Sequence, residues 1–185
     1  MSIFEYVMVL VSVVLSLGLT HLLSGFGALV QGGGRVKFSA LHALWAAMCL
    51  LLTFDMWLSL WGLRDLQAWS LPVLLIVFAS TVVLYLFAMF VTPAASEEPR
   101  DLYQFHLDNR RGYAVAMGVY LVIGAILNAT LTRQFEGVNA SIPVMLGLLA
   151  LAWFVPARWA QWVSALGLFA TLVGYFALYL PQISM

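Results

Sequence analysis

The sequence has 185 residues, of which 64% are hydrophobic and 9% are charged, and its formal net charge at pH 7 is zero. A soluble domain carries roughly 25% charged residues, so this composition excludes an ordinary soluble protein. Long apolar runs recur along the chain, and the mean hydropathy is +1.00, as is typical of helical proteins that cross a membrane several times. The absence of a basic stripe argues against nucleic acid as a partner.

Six transmembrane helices are predicted, and we expect an all-α bundle in a single domain covering residues 1–185. Glycines, prolines and cations mark the ends of the apolar runs. In chain order, the predicted helices cover residues 4–31, 38–62, 70–92, 112–132, 140–155 and 158–180. The fifth is the shortest and has almost no polar side chains in its span, so we expect it at the lipid-facing edge of the bundle.

The six predicted helices leave one substantial loop, at residues 93–111. It holds seven charged residues, which are Glu97, Glu98, Arg100, Asp101, Asp108, Arg110 and Arg111. This composition predicts a solvated connector, and a partner-docking segment is the alternative. We expect His106, inside this loop, to be exposed to solvent.

The cations divide unevenly between the two ends of the predicted helices. One end carries Arg35, Lys37, Arg100, Arg110, Arg111 and Arg158, and the other carries Arg64 and Arg133. Because cytoplasmic loops are enriched in Lys and Arg, the first end is predicted to be cytoplasmic. The loop at 93–111 is then cytoplasmic, and both termini are periplasmic.

A stripe of small residues runs along helix 1. Its members recur every four positions and are Ser12, Ser16, Thr20, Ser24 and Ala28. Stripes of this kind let two helix backbones approach closely inside lipid. We therefore predict that helix 1 is the central helix, with Gly18 and Gly25 leaving room beside His21.

Helix 6 carries a second series of small residues. Gly167 and Gly174 belong to it, together with Ser164 and Thr171. This series predicts a close helix contact either inside the monomer or between copies of the chain, so a homo-oligomer is one expected state.

Polar side chains at membrane depth are the main functional signal, because each needs a partner or a cavity. Counting residues along each helix places them at overlapping depths, and they are His21, His42, Asp55, Tyr85, Tyr120, Asn128 and Gln161. Helix 2 has polar groups on two faces, so we expect protein on both sides of it. Asp55 is expected to be neutral or hydrogen-bonded, with Asn128 as its best-placed partner.

Two functions are consistent with this pattern. The first is a small transporter or channel that moves a solute or a proton along the polar path. The second is a non-catalytic structural or interaction protein, in which the polar groups only hold the helices together. A continuous polar cavity favours the first, and a fully packed interior favours the second.

No enzyme, cofactor or metal site is predicted, since no catalytic motif is present. The alternative is a b-type haem with His21 and His42 as axial ligands. A transition-metal site built from His21, His42 and Cys49 is weaker, because such sites need three or four well-placed ligands.

Three short segments resemble known sequences. They are Phe4-Glu5-Tyr6-Val7 running into Leu17–Gly25, the Trp61–Asp65 turn, and Asn109-Arg110-Arg111. They are similar to a family of small uncharacterised bacterial inner-membrane proteins. The resemblance implies a multi-pass protein of the bacterial inner membrane, and it implies no activity.

Overall fold

The structure, a computed structural model, describes residues 3–64, 66, 69–93, 99–132 and 136–179, of which 34, 131, 132, 136–140 and 179 are described as backbone only. These residues form six α-helices. They are α1 (Ile3–Gly32), α2 (Ala40–Trp61), α3 (Leu71–Val91), α4 (Leu102–Leu127), α5 (Glu136–Phe154) and α6 (Arg158–Tyr179). A 3-10 turn, Gly33–Arg35, follows α1, and a π-helical turn, Asn128–Thr132, follows α4. The all-α prediction and the number of helices are confirmed, while the length and composition that a membrane span needs are found in five of the six.

Two strands of two residues each pair with each other at one end of the bundle. Strand β1 (Val36–Lys37) pairs in parallel with β2 (Arg100–Asp101). The Lys37 ammonium donates to the Asp101 carboxylate at 2.7 Å across this pair. The strands therefore join the connection between α1 and α2 to the start of α4.

Helix α4 begins ten residues earlier than predicted. The Asp101 carboxylate caps it by accepting hydrogen bonds from the backbone N–H groups of Tyr103 (2.9 Å) and Gln104 (3.2 Å). An acceptor at this position satisfies N–H groups that have no partner inside the helix. The predicted loop at 93–111 is thus wrong over residues 102–111, while residues 94–98 lie outside the described part of the chain.

Helices α1, α3 and α5 run in one direction, and α2, α4 and α6 run in the other. The parallel course of α1 and α3 is visible in their contacts, because Gly18 faces Tyr85 and Gly25 faces Thr92 at the same sequence offset. Contacts at the end of the bundle where α4 and α6 begin bring predicted cytoplasmic cations together. The Arg158 guanidinium lies 5.5 Å from the Tyr103 ring and the Arg111 guanidinium 5.8 Å from the Trp153 ring.

Helix α2, rather than α1, is the central helix. It contacts α1, α3, α4 and α6, whereas α1 packs mainly on α3 and α2. The expectation that helix 2 is enclosed on both sides is confirmed, and the expectation that helix 1 is central is wrong. The physical reason is the side chains of α1, whose buried face consists of Val7, Val11, Leu15, Gly18, Leu22 and Gly25.

The hydroxyl stripe of α1 lies on a different face. Ser16, Thr20 and Ser24 are exposed in the monomer, and Ser12 is half-buried. Gly18 and Gly25 lie at the contact with α3 instead. The close approach in α1 therefore involves its glycines, not its serines.

Helices α5 and α6 form an antiparallel pair at the edge of the bundle. Gly167 of α6 faces Leu148 of α5, while Gly174 faces open space. Leu149 of α5 is buried and lies near Gly118 of α4. One face of α5 is therefore core, and a substitution at Leu149 is not the neutral change expected of a lipid-facing position.

Of the six helices in the described part of the chain, five are long and apolar enough to cross a membrane, namely α1, α2, α3, α4 with its π-helical turn, and α6. The apolar part of α5, Ser141–Phe154, is shorter. Large apolar side chains cover much of the outside, such as Val30 and Leu71, which are 81% and 67% exposed. A long apolar helix with an apolar exterior suits lipid rather than water, so the chain is a multi-pass membrane protein.

Candidate functional site

The interior between α2, α4 and α6 contains a carboxylate held by tyrosines. The Tyr120 hydroxyl of α4 donates to Asp55 of α2 at 3.2 Å. Tyr175 of α6 is a second hydrogen-bond partner of the same carboxyl group. Asp55 is half-buried and Tyr120 is buried. We call these three residues the carboxylate layer. The sequence prediction paired Asp55 with Asn128, and the partners found are the two tyrosines.

A second polar group lies toward the cationic end of the same three helices. It consists of His42 on α2, His106 on α4 and Gln161 on α6, all of them at most 2% exposed. Nε2 of His106 lies 3.0 Å from Oε1 of Gln161. We call these three residues the imidazole layer. His106 was expected to be solvated in a loop, and that expectation is wrong because α4 extends through it.

Gln161 also ties α6 to the end of α5. Its amide nitrogen donates to the backbone carbonyls of Ala152 at 2.8 Å and Val155 at 2.7 Å. These carbonyls belong to the last turn of α5 and the residue after it, where the helix itself offers no donor. The prediction of Gln161 as an intramembrane polar residue thus corresponds to a fully buried, fully hydrogen-bonded amide.

Aromatic rings enclose the imidazole layer. The Tyr113 ring centroid lies 5.3 Å from that of His106 and 5.4 Å from that of Trp45. Phe87 of α3 packs edge-on against Trp45 at 6.4 Å, and Phe105 packs edge-on against His42 at 5.5 Å. Trp45, Phe87 and Tyr113 are each 0% exposed. The rings hold both imidazoles in place and keep bulk solvent away from them.

The described residues include seven buried side-chain polar atoms without a hydrogen-bond partner, and six belong to α2, α4 or α6 near the imidazole layer. These six are Nδ1 of His42, Nε1 of Trp45, Nδ1 of His106, Nε of Arg110, the Tyr113 hydroxyl and Oγ of Ser164. Buried polar groups are normally hydrogen-bonded, and exceptions mark strain, function, or bound water or ions. Their concentration in one place sets this layer apart from the rest of the bundle.

The two layers occur on the same three parallel helices. They are separated by 13 residues on α2 and by 14 on α4 and α6, or about 20 Å at a rise of about 1.5 Å per residue. Fourteen residues make almost four helical turns, so on α4 and α6 both layers share one face. Leu52, Met117 and Leu168 lie along these helices between the two layers, and each is at most 1% exposed. We call these three residues the apolar belt.

The remaining predicted path residues lie elsewhere. His21 is half-buried on α1, and Tyr85 is half-buried on α3 with its backbone against Gly18. Asn128 stands at the start of the π-helical turn, at the far end of α4. The predicted path therefore divides into three parts. They are the two layers between α2, α4 and α6, a separate pair of residues on α1 and α3, and Asn128 at the far end of α4.

His42 and His106 are the histidines that the fold brings near each other, since His42 packs edge-on against Phe105, the residue before His106. The b-haem alternative paired His42 with His21, which lies on the helix that packs mainly on α3. Within the described part of the chain, no group of three or more His, Cys, Asp or Glu residues has a geometry that suits a metal ion.

The sequence prediction missed His106, Tyr113, Trp45 and Tyr175. The signal for His106 was present, because His106, Tyr113 and Tyr120 share one helical phase with spacings of seven. The charged pair Arg110 and Arg111, followed by Gly112, is typical of the end of a loop, and for that reason the helical spacing was not recognised.

Comparison of the chain with models of protein families, with curated proteins and with solved structures gave no match.

Proposed function

We propose that this protein conducts protons, or a small cation coupled to them, through the interior formed by α2, α4 and α6. The observation that carries the proposal is the pair of polar layers on these three parallel helices. Each layer is cross-linked between helices by side-chain hydrogen bonds, and each contains a group that can change its protonation. Ionisable residues inside membrane spans are expensive and mark proton or ion pathways.

The apolar belt interrupts the polar path between the two layers. Leu52, Met117 and Leu168 are buried apolar side chains of one core cluster and lie between the layers along the helices, and apolar constrictions gate channels by excluding water. In this account the carboxylate layer and the imidazole layer exchange protons with opposite sides of the membrane, and hydration of the belt connects them.

A purely structural role is the second candidate, and the same belt favours it. A packed interior between two hydrogen-bonded layers stabilises a bundle without conducting anything. Transport and structural roles differ in one requirement, which is that only transport needs Asp55 to take up and release a proton.

The experiment is proton flux into liposomes containing purified protein under an imposed pH gradient. Asp55→Asn preserves shape and still accepts from the Tyr120 hydroxyl, but an amide does not titrate. We expect wild-type protein to conduct, Asp55→Asn to fold normally and lose the flux, and Asp108→Asn, the same change at an exposed site on α4, to retain it.

Two outcomes contradict transport. One is wild-type flux no greater than that of protein-free liposomes. The other is equal flux in wild type and Asp55→Asn, with both proteins showing the same thermal stability. Either outcome leaves the structural role.

For location, we propose the bacterial inner membrane, with the cationic end in the cytoplasm and both termini in the periplasm. The grouping of Lys37, Arg111 and Arg158 at one end supports this orientation through the positive-inside rule. Labelling with an impermeant thiol reagent measures this orientation directly. The variants are Ser70→Cys and Gln104→Cys, which lie at exposed positions at opposite ends of the bundle. We expect labelling from outside at position 70 only.

A further inference from the structure

Gln161 fixes which ring nitrogen of His106 carries the proton. Both N–H groups of the Gln161 amide are committed to carbonyl oxygens, those of Ala152 and Val155. The opposite amide orientation would place an oxygen against two oxygens. Oε1 therefore faces His106, and because it is an acceptor only, Nε2 of His106 must be the donor in the 3.0 Å contact.

The consequence lies at the other nitrogen of the ring. A neutral imidazole with a proton on Nε2 has its lone pair on Nδ1. Nδ1 of His106 is buried and has no hydrogen-bond partner. The ring is thus held with an available base at a known atom, in a region where Trp45 Nε1, the Tyr113 hydroxyl and Ser164 Oγ also lack partners.

We propose that Nδ1 of His106 is the proton-accepting atom of the imidazole layer, and that Gln161 is the positioning residue that keeps it available. This inference rests on the proposed function. A hydronium ion transfers its proton to the Nδ1 lone pair and becomes water, and the ring becomes an imidazolium with Nε2–H still donating to Gln161. The same proton leaves from Nδ1 to a second water, so no electrons are exchanged and no other bond breaks.

The titratable and charged groups around this ring are His42 from α2, and Arg110 and Tyr113 from α4 itself. The other helices that pack here present groups that do not titrate. These are Phe87 from α3, the Ala152 and Val155 carbonyls at the end of α5, and Gln161 and Ser164 from α6. His42 is the neighbour whose own protonation would compete with that of His106, so both must be followed separately.

The first test uses wild-type protein, so it does not depend on a variant that folds. The sequence contains three histidines, and nitrogen NMR of protein labelled at histidine resolves their ring nitrogens, assigned through His21→Asn and His42→Asn. We expect neutral His106 to carry its proton on Nε2, and to gain a second on Nδ1 when the folded protein is acidified. A proton on Nδ1 in the neutral form, or a ring that never gains a proton on Nδ1 while the protein stays folded, overturns the inference.

The second test separates this inference from the proposed function. Gln161→Met removes the acceptor, so we expect a mixture of His106 tautomers and reduced proton flux, while Gln104→Met, at an exposed position on α4, changes neither. An unchanged tautomer and unchanged flux in Gln161→Met overturn the positioning role. If the His106→Gln variant conducts as well as wild type, the inference is overturned and the proposed function is not. No wild-type flux, with His106 still protonated at Nδ1, overturns the proposed function alone.

Discussion

A single amide, that of Gln161, joins three parts of the molecule. It accepts from His106 of α4 and donates to the carbonyls of Ala152 and Val155 at the end of α5. Each of these groups would otherwise be buried without a partner, which costs roughly 1–3 kcal/mol per group. A glutamine inside an apolar helix is therefore structurally necessary here, whatever the chain conducts.

Asp101 is the residue whose pH response can be predicted most simply. The hydrogen bond from Lys37, followed by those from the N–H groups of Gln104 and Tyr103, lowers the pKa of this carboxyl group below its usual value of 3.8. A lowered pKa in the folded state means that the ionised form stabilises the fold. That stabilisation is present above about pH 3.8 and is lost as the pH falls through the lower folded value.

We therefore expect the start of α4 to fray on acidification. Hydrogen exchange at the Tyr103 and Gln104 amides should be slow near neutral pH and faster, after correction for intrinsic rates, at pH values below the folded pKa. Asp101→Ala, which has no side-chain acceptor, should show the faster exchange at neutral pH already, and Asp108→Ala should not. Equal protection of both amides in wild type and Asp101→Ala would contradict the capping role.

Among single residues, the importance of Asp55 and Gln161 was predictable, because placing a polar side chain in hydrocarbon costs free energy. Their partners were not predictable, since a partner depends on how each helix is rotated about its axis. Tyr175 illustrates this point, because tyrosine near a helix end is equally typical of the membrane interface. Trp45 was ambiguous for the same reason.

At the level of elements, five helices were predictable to within a few residues, and α4 was not. Apolar length defines a transmembrane helix, so the polar first ten residues of α4, which include Arg110 and Arg111, carried no such signal. The prediction that the hydroxyl stripe is the packing face of α1 is wrong for a related reason. Spacing identifies a stripe, but the neighbouring side chains decide which stripe is buried.

The contact between α1 and α3 depends on Gly25. A Cβ atom at this position would overlap the Thr92 methyl group, whereas a Cβ at Gly27 meets nothing. We expect Gly25→Ala to destabilise the protein by about 1–3 kcal/mol, as overpacking typically does. Gly27→Ala should be neutral or stabilising by up to about 1 kcal/mol through helix propensity.

Thermal unfolding in detergent measures this difference. Thr92→Ser removes the methyl group, so the double variant Gly25→Ala, Thr92→Ser should recover most of the loss. Equal melting temperatures for Gly25→Ala and Gly27→Ala would show that α1 and α3 do not approach closely at this point.

For the whole molecule, α2 organises the bundle by contacting four other helices. It packs with α1 and α3 and, elsewhere around its axis, with α4 and α6. His42 and Asp55 are 13 residues apart and project from different faces of α2, and both faces are tolerated because α2 has protein neighbours around it. The number of helices and their alternating direction followed from hydropathy and charge, while their arrangement around α2 required the structure.

In the proposed function protons cross the apolar belt between the two layers, and Met117→Ala tests this passage most directly. Met117 is fully buried and shares a helical face with Tyr113 and Tyr120. Shortening this side chain opens space for water in the belt, so proton flux into liposomes should rise above that of wild type. Leu149→Ala, a buried change between α4 and α5, should cost similar stability, about 2–5 kcal/mol, without raising the flux. Equal flux in wild type, Met117→Ala and Leu149→Ala would contradict a path through the belt.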